Sequence, residues 1–588
     1  MSGESVESVD ESLGSQGSNL ETIRMRLSLA LSSKENFLMS AKSSFEQFDE
    51  GQKGKLSMEE TKRLLERLSV NLELPPVDNN MLTNIFNKYD ENLTGFLTFE
   101  EFSRFFWHLL CSIRDKYYPE KSILVTRDQF IRRTSLRKAD DIRSIFDFVE
   151  KIGEGSFGQV FFVREKCSNL SRVCKMIDKS LSNVSVDQIE AEVAVLKNLD
   201  HPNIIRIFEV YEDTDHMYII MEKCAGGELF ERIHEAVDKG FRLNEKYVSH
   251  VMRQIMAALA YFHSRKIVHK DLKPENILMQ EKFHHSAIKI IDFGLAEIFK
   301  TVNEHSSHAA GTVLYMAPEV FMRDITMECD VWSAGVIMYF LLAGTLPFSG
   351  KSVKEVKNKV LNSEPDYEHE CVHISAEGID LMKLMFQKDP KKRPKAAAIL
   401  AHPWFKLAKT NVQPIRMSTR LLQNLKLYMK QNQLKQALVN MMAHQLNVTG
   451  SQIRNITHVF KELDQDGNGI LTPEELIDGL QSVGIPQWDI NRIVQAMDAD
   501  DTGSISYTEF LAACYEWRDT ELGVIRAAFN KMDIDGDGKL TVDEFEKVLC
   551  SGKQKLLNHR DWDQIIKSAD TNRDGVIDWN EFLEYMLK

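Results

Sequence analysis

Four acidic segments, starting at Asp464, Asp498, Asp533 and Asp570, repeat at intervals of 34 to 37 residues. That interval is the length of a helix–loop–helix unit, and repeats of this kind bury their apolar faces only by stacking on one another. A twelve-residue calcium loop needs side-chain oxygens at positions 1, 3, 5 and 9 and a backbone carbonyl at 7. It also needs glycine at 6 and a two-oxygen carboxylate at 12. The first segment supplies Asp464, Asp466, Asn468, Gly469, the carbonyl of Ile470, Thr472 and Glu475. The third supplies Asp533, Asp535, Asp537, Gly538, the carbonyl of Lys539, Thr541 and Glu544, and the fourth Asp570, Asn572, Asp574, Gly575, the carbonyl of Val576, Asp578 and Glu581. The second is thinner, because Thr502 offers only a hydroxyl between Asp498, Asp500, the carbonyl of Ser504, Ser506 and Glu509. Four such matches in succession are a calcium-binding module.

Two weaker copies lie near the amino terminus. Asp90, Asn92, Thr94, Gly95, Thr98 and Glu101 keep the pattern and are expected to bind calcium weakly. In the copy at 49–60, Asp49, Gly54 and Glu60 fit, but Gly51 and Lys53 stand where ligands should be. An ammonium in a cation site repels the cation, so this loop is expected to bind none and to serve as a structural partner.

Between these modules lies a second chemistry. Gly153, Gly155, Gly158 and Val160 form GxGxxGxV, a weak signal alone. It is followed in order by Lys175 in RVCKMI, Glu192 in a helical pattern, HKDLKPEN at 269–276, DFG at 292–294 and APE at 317–319. This inventory suits phosphoryl transfer, in which lysines and two magnesium ions neutralise a polyphosphate. Lys175 would reach nucleotide phosphates and Glu192 would hold it. Asp271 would orient the attacking hydroxyl, with Lys273 balancing charge on the moving group. Asn276 and Asp292 would hold magnesium, and Glu319 would pair with Arg393.

The middle segment resembles a eukaryotic protein kinase, and DLKPEN is similar to the serine/threonine type. With the basic segment and four calcium loops behind it, residues 146–588 resemble the calcium-dependent protein kinases of plants and apicomplexan parasites. The additional amino-terminal pair looks more like the apicomplexan arrangement. The resemblance implies a multidomain chain: an α+β bilobal kinase fold flanked by all-α EF-hand domains, using ATP, Mg2+ and Ca2+. It also implies that Ile152, Gly153, Gly155, Gly158, Val160 and Lys175 contact the nucleotide. Met221 would stand at the back of its pocket, Glu222 and Cys224 on the adenine-binding hinge, and Glu228 near the ribose or a substrate arginine. Two positions depart from the family pattern. Val173 replaces the usual alanine, and Lys270 replaces the arginine that ordinarily grips an activation-segment phosphate through a fork that lysine cannot reproduce. Phosphorylation at Thr301, Ser306 or Ser307 is therefore not expected to be the main switch.

The expected boundaries are a mobile 1–35, an EF-hand pair at 36–118, a linker at 119–145, the kinase at 146–405, a basic junction helix at 406–450 and a calmodulin-like domain at 451–588. Residues 406–450 hold seven Lys or Arg and no Asp or Glu, whereas 451–588 carry 27 acidic against 14 basic residues. The two segments should attract each other. Leu421, Leu425, Tyr428, Leu434, Leu438, Met441 and Met442 mark an apolar stripe on the junction helix, a type of target for calcium-opened grooves. Calcium is expected to free the cleft by moving this helix, so truncation near residue 410 should give activity without calcium. FIRRTS suggests self-phosphorylation at Ser135.

The balance of 73 basic against 87 acidic residues argues against a nucleic-acid partner. Protein substrates with Ser or Thr near Arg or Lys are expected instead. The run Val331–Gly350 reads as a buried helix and loop rather than a membrane span, because Gly335, Gly344 and Pro347 interrupt it. Ser2, not glycine, at position 2 argues against myristoylation. Eight cysteines without paired spacing, and no apolar leader, suggest a reducing, cytoplasmic setting, and a monomer without a direct membrane anchor is expected.

Overall fold

The computed structural model describes residues 20–587, apart from 32, 73, 75–78, 91, 93, 118–122, 124–125, 132, 137–140, 156–157, 181–185, 283–285, 300–310, 408–416, 447–449, 486, 518–521, 550–565 and 568. Most of the expected mobile 1–35, and Thr301, Ser306 and Ser307, lie outside the described residues. The chain forms two compact units. One holds residues 1–122, 425–433 and 472–505, and the other holds 123–424, 434–471 and 506–588.

In the first unit, helices α1 (Leu20–Leu31), α2 (Lys34–Phe48), α3 (Met58–Asn71), α4 (Asn79–Tyr89) and α5 (Phe99–Tyr117) surround two short strands, β1 (Lys55–Ser57) and β2 (Phe96–Thr98). The strands join the two loops, with Leu56 opposite Leu97. Ser57 starts α3 by a reciprocal capping box with Glu60. A phenylalanine-rich core closes the pair, in which Phe45 packs on Phe99 and Phe102.

In the second unit, a six-stranded sheet comprises β3 (Arg133–Ser135), β4 (Phe146–Gly155), β5 (Gly158–Glu165), β6 (Ser171–Asp178), β7 (Ile207–Glu212) and β8 (His216–Met221), in the order β3-β7-β8-β6-β5-β4. Five strands are antiparallel neighbours; β3 alone pairs in parallel, on β7. The segment expected to be a plain linker thus supplies an edge strand, preceded by the short helix α6 (Arg127–Phe130). Below the sheet lies a helical lobe built on the buried helix Glu245–Ser264. The apolar run after Asp330 forms the buried helix Glu328–Ala343, stopped by Gly344 in the left-handed conformation. Among the described residues no helix is long and apolar enough to cross a membrane.

The expected single junction helix is instead two, Thr419–Tyr428 and Gln433–Gln445. Lys430 and Gln431 donate their amides three residues back, to Leu427 and Tyr428, and this tightened turn ends the first helix without glycine or proline.

Candidate active site and calcium loops

Strand register assembles the nucleotide end of the cleft. Val160 pairs with Lys175 across β5 and β6, and Val173 pairs with Met221 across β6 and β8. The strand that follows the glycine segment therefore runs beside the lysine, and the departing valine lies beside Met221, the expected back of the pocket. Gly158 is required by close approach: a Cβ there would sit 1.9 Å from the Met176 carbonyl oxygen. Ile152 is half exposed on β4, the strand leading into the turn.

Lys175 Nζ lies 2.7 Å from Glu192 Oε1 and 3.2 Å from Asp292 Oδ1. Burial alone would push the ammonium's pKa down, but the two carboxylates outweigh it and hold the pKa above its usual value. Burial likewise pushes Asp292 up, and Lys175 more than reverses that, keeping the carboxyl ionised. Asp292 is left-handed at φ 62°, a strained conformation for a non-glycine residue that turns with the DFG segment.

The transfer end is a second network. Asp271 accepts from the Thr312 amide and hydroxyl, both at 2.8 Å, and from Lys273 Nζ at 2.7 Å. Lys273 also donates to Thr312 Oγ1 at 3.0 Å, and Asn276 donates to the Asp271 carbonyl at 2.8 Å. Buried Asp330, in the first turn of the helix Glu328–Ala343, fixes this loop by accepting the amides of His269 and Lys270, each at 2.9 Å. Sequence reasoning missed Asp330 as a positioning residue, because it stands out there only as the charge before an apolar run. Glu319 and Arg393 form a buried pair, with bonds of 2.5 and 3.0 Å.

Lys270, the residue that replaces arginine, is buried in an ion pair with Glu297. A carboxylate of the chain itself meets the cation that a phosphate would otherwise engage. On the hinge, Cys224 is partly buried and burial pushes its thiol up. The Glu222 side chain forms a buried pair with Lys289 at 2.7 Å and accepts the Arg206 amide at 2.8 Å, while its own amide donates to the Arg206 carbonyl at 3.0 Å. Glu228 caps the helix Leu229–Asp238. Burial first, then Glu231 and Glu275, raise its carboxyl.

Two calcium loops lie wholly in the second unit and pair through the short strands Lys539–Leu540 and Ile577–Asp578. Asp533, Asp535 and Asp537 bring carboxylate oxygens within 4.8 Å of one another, as do Asp570, Asp574 and Glu581. Backbone amides orient them: Gly538 donates to Asp533 at 2.9 Å and Gly575 to Asp570 at 3.0 Å. Burial would raise the Glu544 and Glu581 carboxyls, but amide and hydroxyl donors outweigh it and hold both low. The Asn572 side chain accepts the Asp574 amide at 2.7 Å, while Lys539 and Val576 offer backbone carbonyls and no ligand side chain. Charged, converging oxygens with a glycine turn fit a hard divalent cation.

The division between the units passes through the other two loops. On one side of it, Asp464 accepts from Gly469 at 2.9 Å, Asp466 from Asn468, and Asn468 from the Ile470 amide. On the other, Glu475 accepts from Thr472 at 3.0 Å, and Asp498 accepts from Thr502 and Gly503, with Thr502 also bonding the Ser504 carbonyl. Asp500 accepts from the Thr502 amide, and Glu509 accepts from Ser506 at 2.8 Å within its own unit.

In the amino-terminal pair, Lys53 Nζ sits 2.8 Å from Glu60 Oε1. Burial would raise the Glu60 carboxyl, but Lys53 and the Ser57 donors bring it down to about 2. The neighbouring loop keeps its oxygen frame. Asp90 accepts from Gly95 at 2.7 Å and Thr94 at 2.9 Å, and Asn92 donates to Glu101 at 3.3 Å.

Comparison with known proteins matches residues 146–405 to the protein kinase domain, and residues 39–106, 453–515 and 524–587 to the EF-hand domain pair. The chain is 40% identical over 576 residues to calcium-dependent protein kinase 6 of Plasmodium berghei, and 37% identical over 446 residues to calcium-dependent protein kinase 3 of the same organism. It is 36% identical over 455 residues to calcium-dependent protein kinase 11 of Oryza sativa. The chain belongs to the calcium-dependent protein kinase family. These matches cover 96%, 74% and 76% of it, and 38%, 79% and 77% of the respective relatives. The chain therefore spans well under half the length of the first relative. The protein kinase domain implies ATP, and the EF-hand pairs imply calcium.

Proposed function

We propose that this chain transfers the γ-phosphoryl group of ATP to Ser or Thr hydroxyls of proteins when calcium fills its carboxy-terminal loops. The observation that carries this reading is the joint assembly, within one unit, of the Lys175–Glu192–Asp292 and Asp271–Lys273–Thr312 networks. Lys175 would hold the nucleotide's phosphate oxygens, and Asp271 would orient the incoming hydroxyl and accept its proton. Lys273 would meet charge on the departing phosphoryl group. Ionised Asp292 and the anchored Asn276 are oxygen donors suited to magnesium, which would neutralise the phosphates when bound.

Glu228, Glu231 and Glu275 supply an acidic site for a substrate arginine. Glu275 Oε2 is buried without a hydrogen-bond partner among the described residues, and an incoming guanidinium would satisfy it. Replacing arginine by alanine in a basic peptide should therefore raise KM more than it lowers kcat. The chain is taken to act as a cytoplasmic monomer.

For regulation, calcium is proposed to reposition the junction segment. A supporting role for that segment, beyond simple inhibition, is favoured by a specific observation. The helix Gln433–Gln445 is buried, with Leu438 1% and Met441 0% exposed, and the carbonyls at its end accept from two kinase arginines. Arg206 Nη1 reaches the Ala443 carbonyl at 3.1 Å, and Arg172 Nη2 reaches that of Gln445 at 3.0 Å. These contacts fall on β6 and the approach to β7, not on Lys175, Asp271 or Asp292. A truncation near residue 410, compared with the intact chain, tests the two modes. Activity without calcium supports release of inhibition. A folded, ATP-binding but inactive truncation supports bracing.

A further inference from the structure

The stretch between the amino-terminal EF-hand pair and the kinase engages three partners at once. Thr126 and Gln129 close a local turn, with the Thr126 amide on Gln129 Oε1 at 2.8 Å. The buried Gln129 side chain then donates to the Leu549 carbonyl at 3.1 Å, at the end of a helix in the last EF-hand pair. Phe130 is 3% exposed, and its ring lies 5.7 Å from that of His444 on the junction helix. Ile131 is fully buried in the kinase core, and β3 then adds to the sheet with Arg133 opposite Val210 and Ser135 opposite Glu212.

Lys531 ties these partners together from the EF-hand side. Its ammonium donates to the Phe130 carbonyl and, at 3.0 Å, to that of Phe208 on β7, and it pairs with Glu209 at 3.4 Å. A buried ammonium is costly unless its donors are satisfied, and here the carbonyls of two separate segments do so. The two carbonyls converge only when the linker lies against β7.

We infer that residues 126–131 and 133–136 form a clasp that joins the last EF-hand pair, the end of the junction helix and the kinase sheet, and that closing it stabilises the calcium-activated state. The inference rests on calcium control as proposed above. It assigns to the linker a coupling role: if the clasp closes only in the calcium-loaded state, then loosening it must weaken apparent calcium affinity by the same factor. It also explains what self-phosphorylation of Ser135 would require, since residues of a paired strand must leave the sheet before they can enter an active site.

The test uses the intact chain carrying Gln129→Ala or Phe130→Ala, with Phe130→Leu as the conservative control and Lys531→Met from the opposite side. The readouts are the free calcium that gives half-maximal peptide phosphorylation and the calcium-induced rise in Tm. The expected result is a rise in half-activating calcium of roughly 3- to 10-fold and a smaller Tm rise for Gln129→Ala, Phe130→Ala and Lys531→Met, with Phe130→Leu near the parent. Unchanged half-activating calcium in Gln129→Ala and Lys531→Met, with the parent still stimulated, would overturn the clasp alone. Equal lowering of Tm with and without calcium would also overturn it, showing a merely structural contact. A parent that calcium does not stimulate would instead refute the underlying reading.

Discussion

The loop at 49–60 and the loop at 533–544 share one frame and reach opposite solutions to the same electrostatic problem. Both begin with an aspartate that accepts the amide of the sixth residue, Gly54 at 2.7 Å and Gly538 at 2.9 Å. Both end with a glutamate that receives amide donors from within the loop, from Ser57 and Thr541. They differ at the fifth position. Asp537 adds a carboxylate to a converging cluster, whereas Lys53 puts an ammonium on the final glutamate. One loop needs a cation from solution, and the other carries its own. The same loop frame thus accommodates an internal ammonium at the fifth position.

The strongest way to break this comparison is to remove the final carboxylates of the responsive pair. Glu544→Gln with Glu581→Gln should abolish two calcium sites by isothermal titration and lower the calcium-stimulated rate by roughly ten-fold or more. An unchanged rate would place the switch elsewhere. A second experiment runs the exchange in reverse. Lys53→Asp should create one further weak site, with Kd on the order of 10⁻⁴ M, and absence of added binding heat would show that Gly51 also matters.

The Lys270–Glu297 pair applies the same logic in the kinase, with an internal charge replacing an external one. Alanine at Thr301, Ser306 and Ser307 together should leave calcium-stimulated activity within about two-fold of the parent, whereas Glu297→Gln should lower it. Abolished activity in the triple variant would make activation-segment phosphorylation essential.

The smallest effect concerns pH. Lys461, on the helix Ser451–Leu463, bonds Gln254 at 3.2 Å. Burial first, then Lys289 and Arg253, bring its pKa down to about 7, with Asp464 opposing. A lowered lysine pKa means that the unfolded chain binds the extra proton, so stability gains with pH between about 7 and the ordinary lysine value. Tm should therefore rise modestly from pH 7 to 9 relative to Lys461→Met. A parallel pH response in the two would remove Lys461 as the cause.

The HKDLKPEN segment and each calcium loop were legible as sets because each lies in eight or twelve consecutive residues, whereas Lys175, Glu192 and Asp292 are distant in sequence and meet only in the fold. Two long-range contacts were not legible: nothing near Lys270 points to Glu297, and nothing near Phe130 points to Lys531. The strand Arg133–Ser135 was missed because three polar residues carry no alternation to reveal an edge strand. The break after Tyr428 was missed because residues 429–432 lack the glycine or proline that usually marks one. Glu222 shows the reverse case, a residue placed on the hinge by resemblance whose side chain serves a buried pair with Lys289.

The most direct test is peptide phosphorylation by the intact chain in chelating buffer and in saturating calcium, at fixed ATP and magnesium. Turnover at least about ten-fold higher with calcium is the predicted result. Equal turnover in the two buffers would contradict the account.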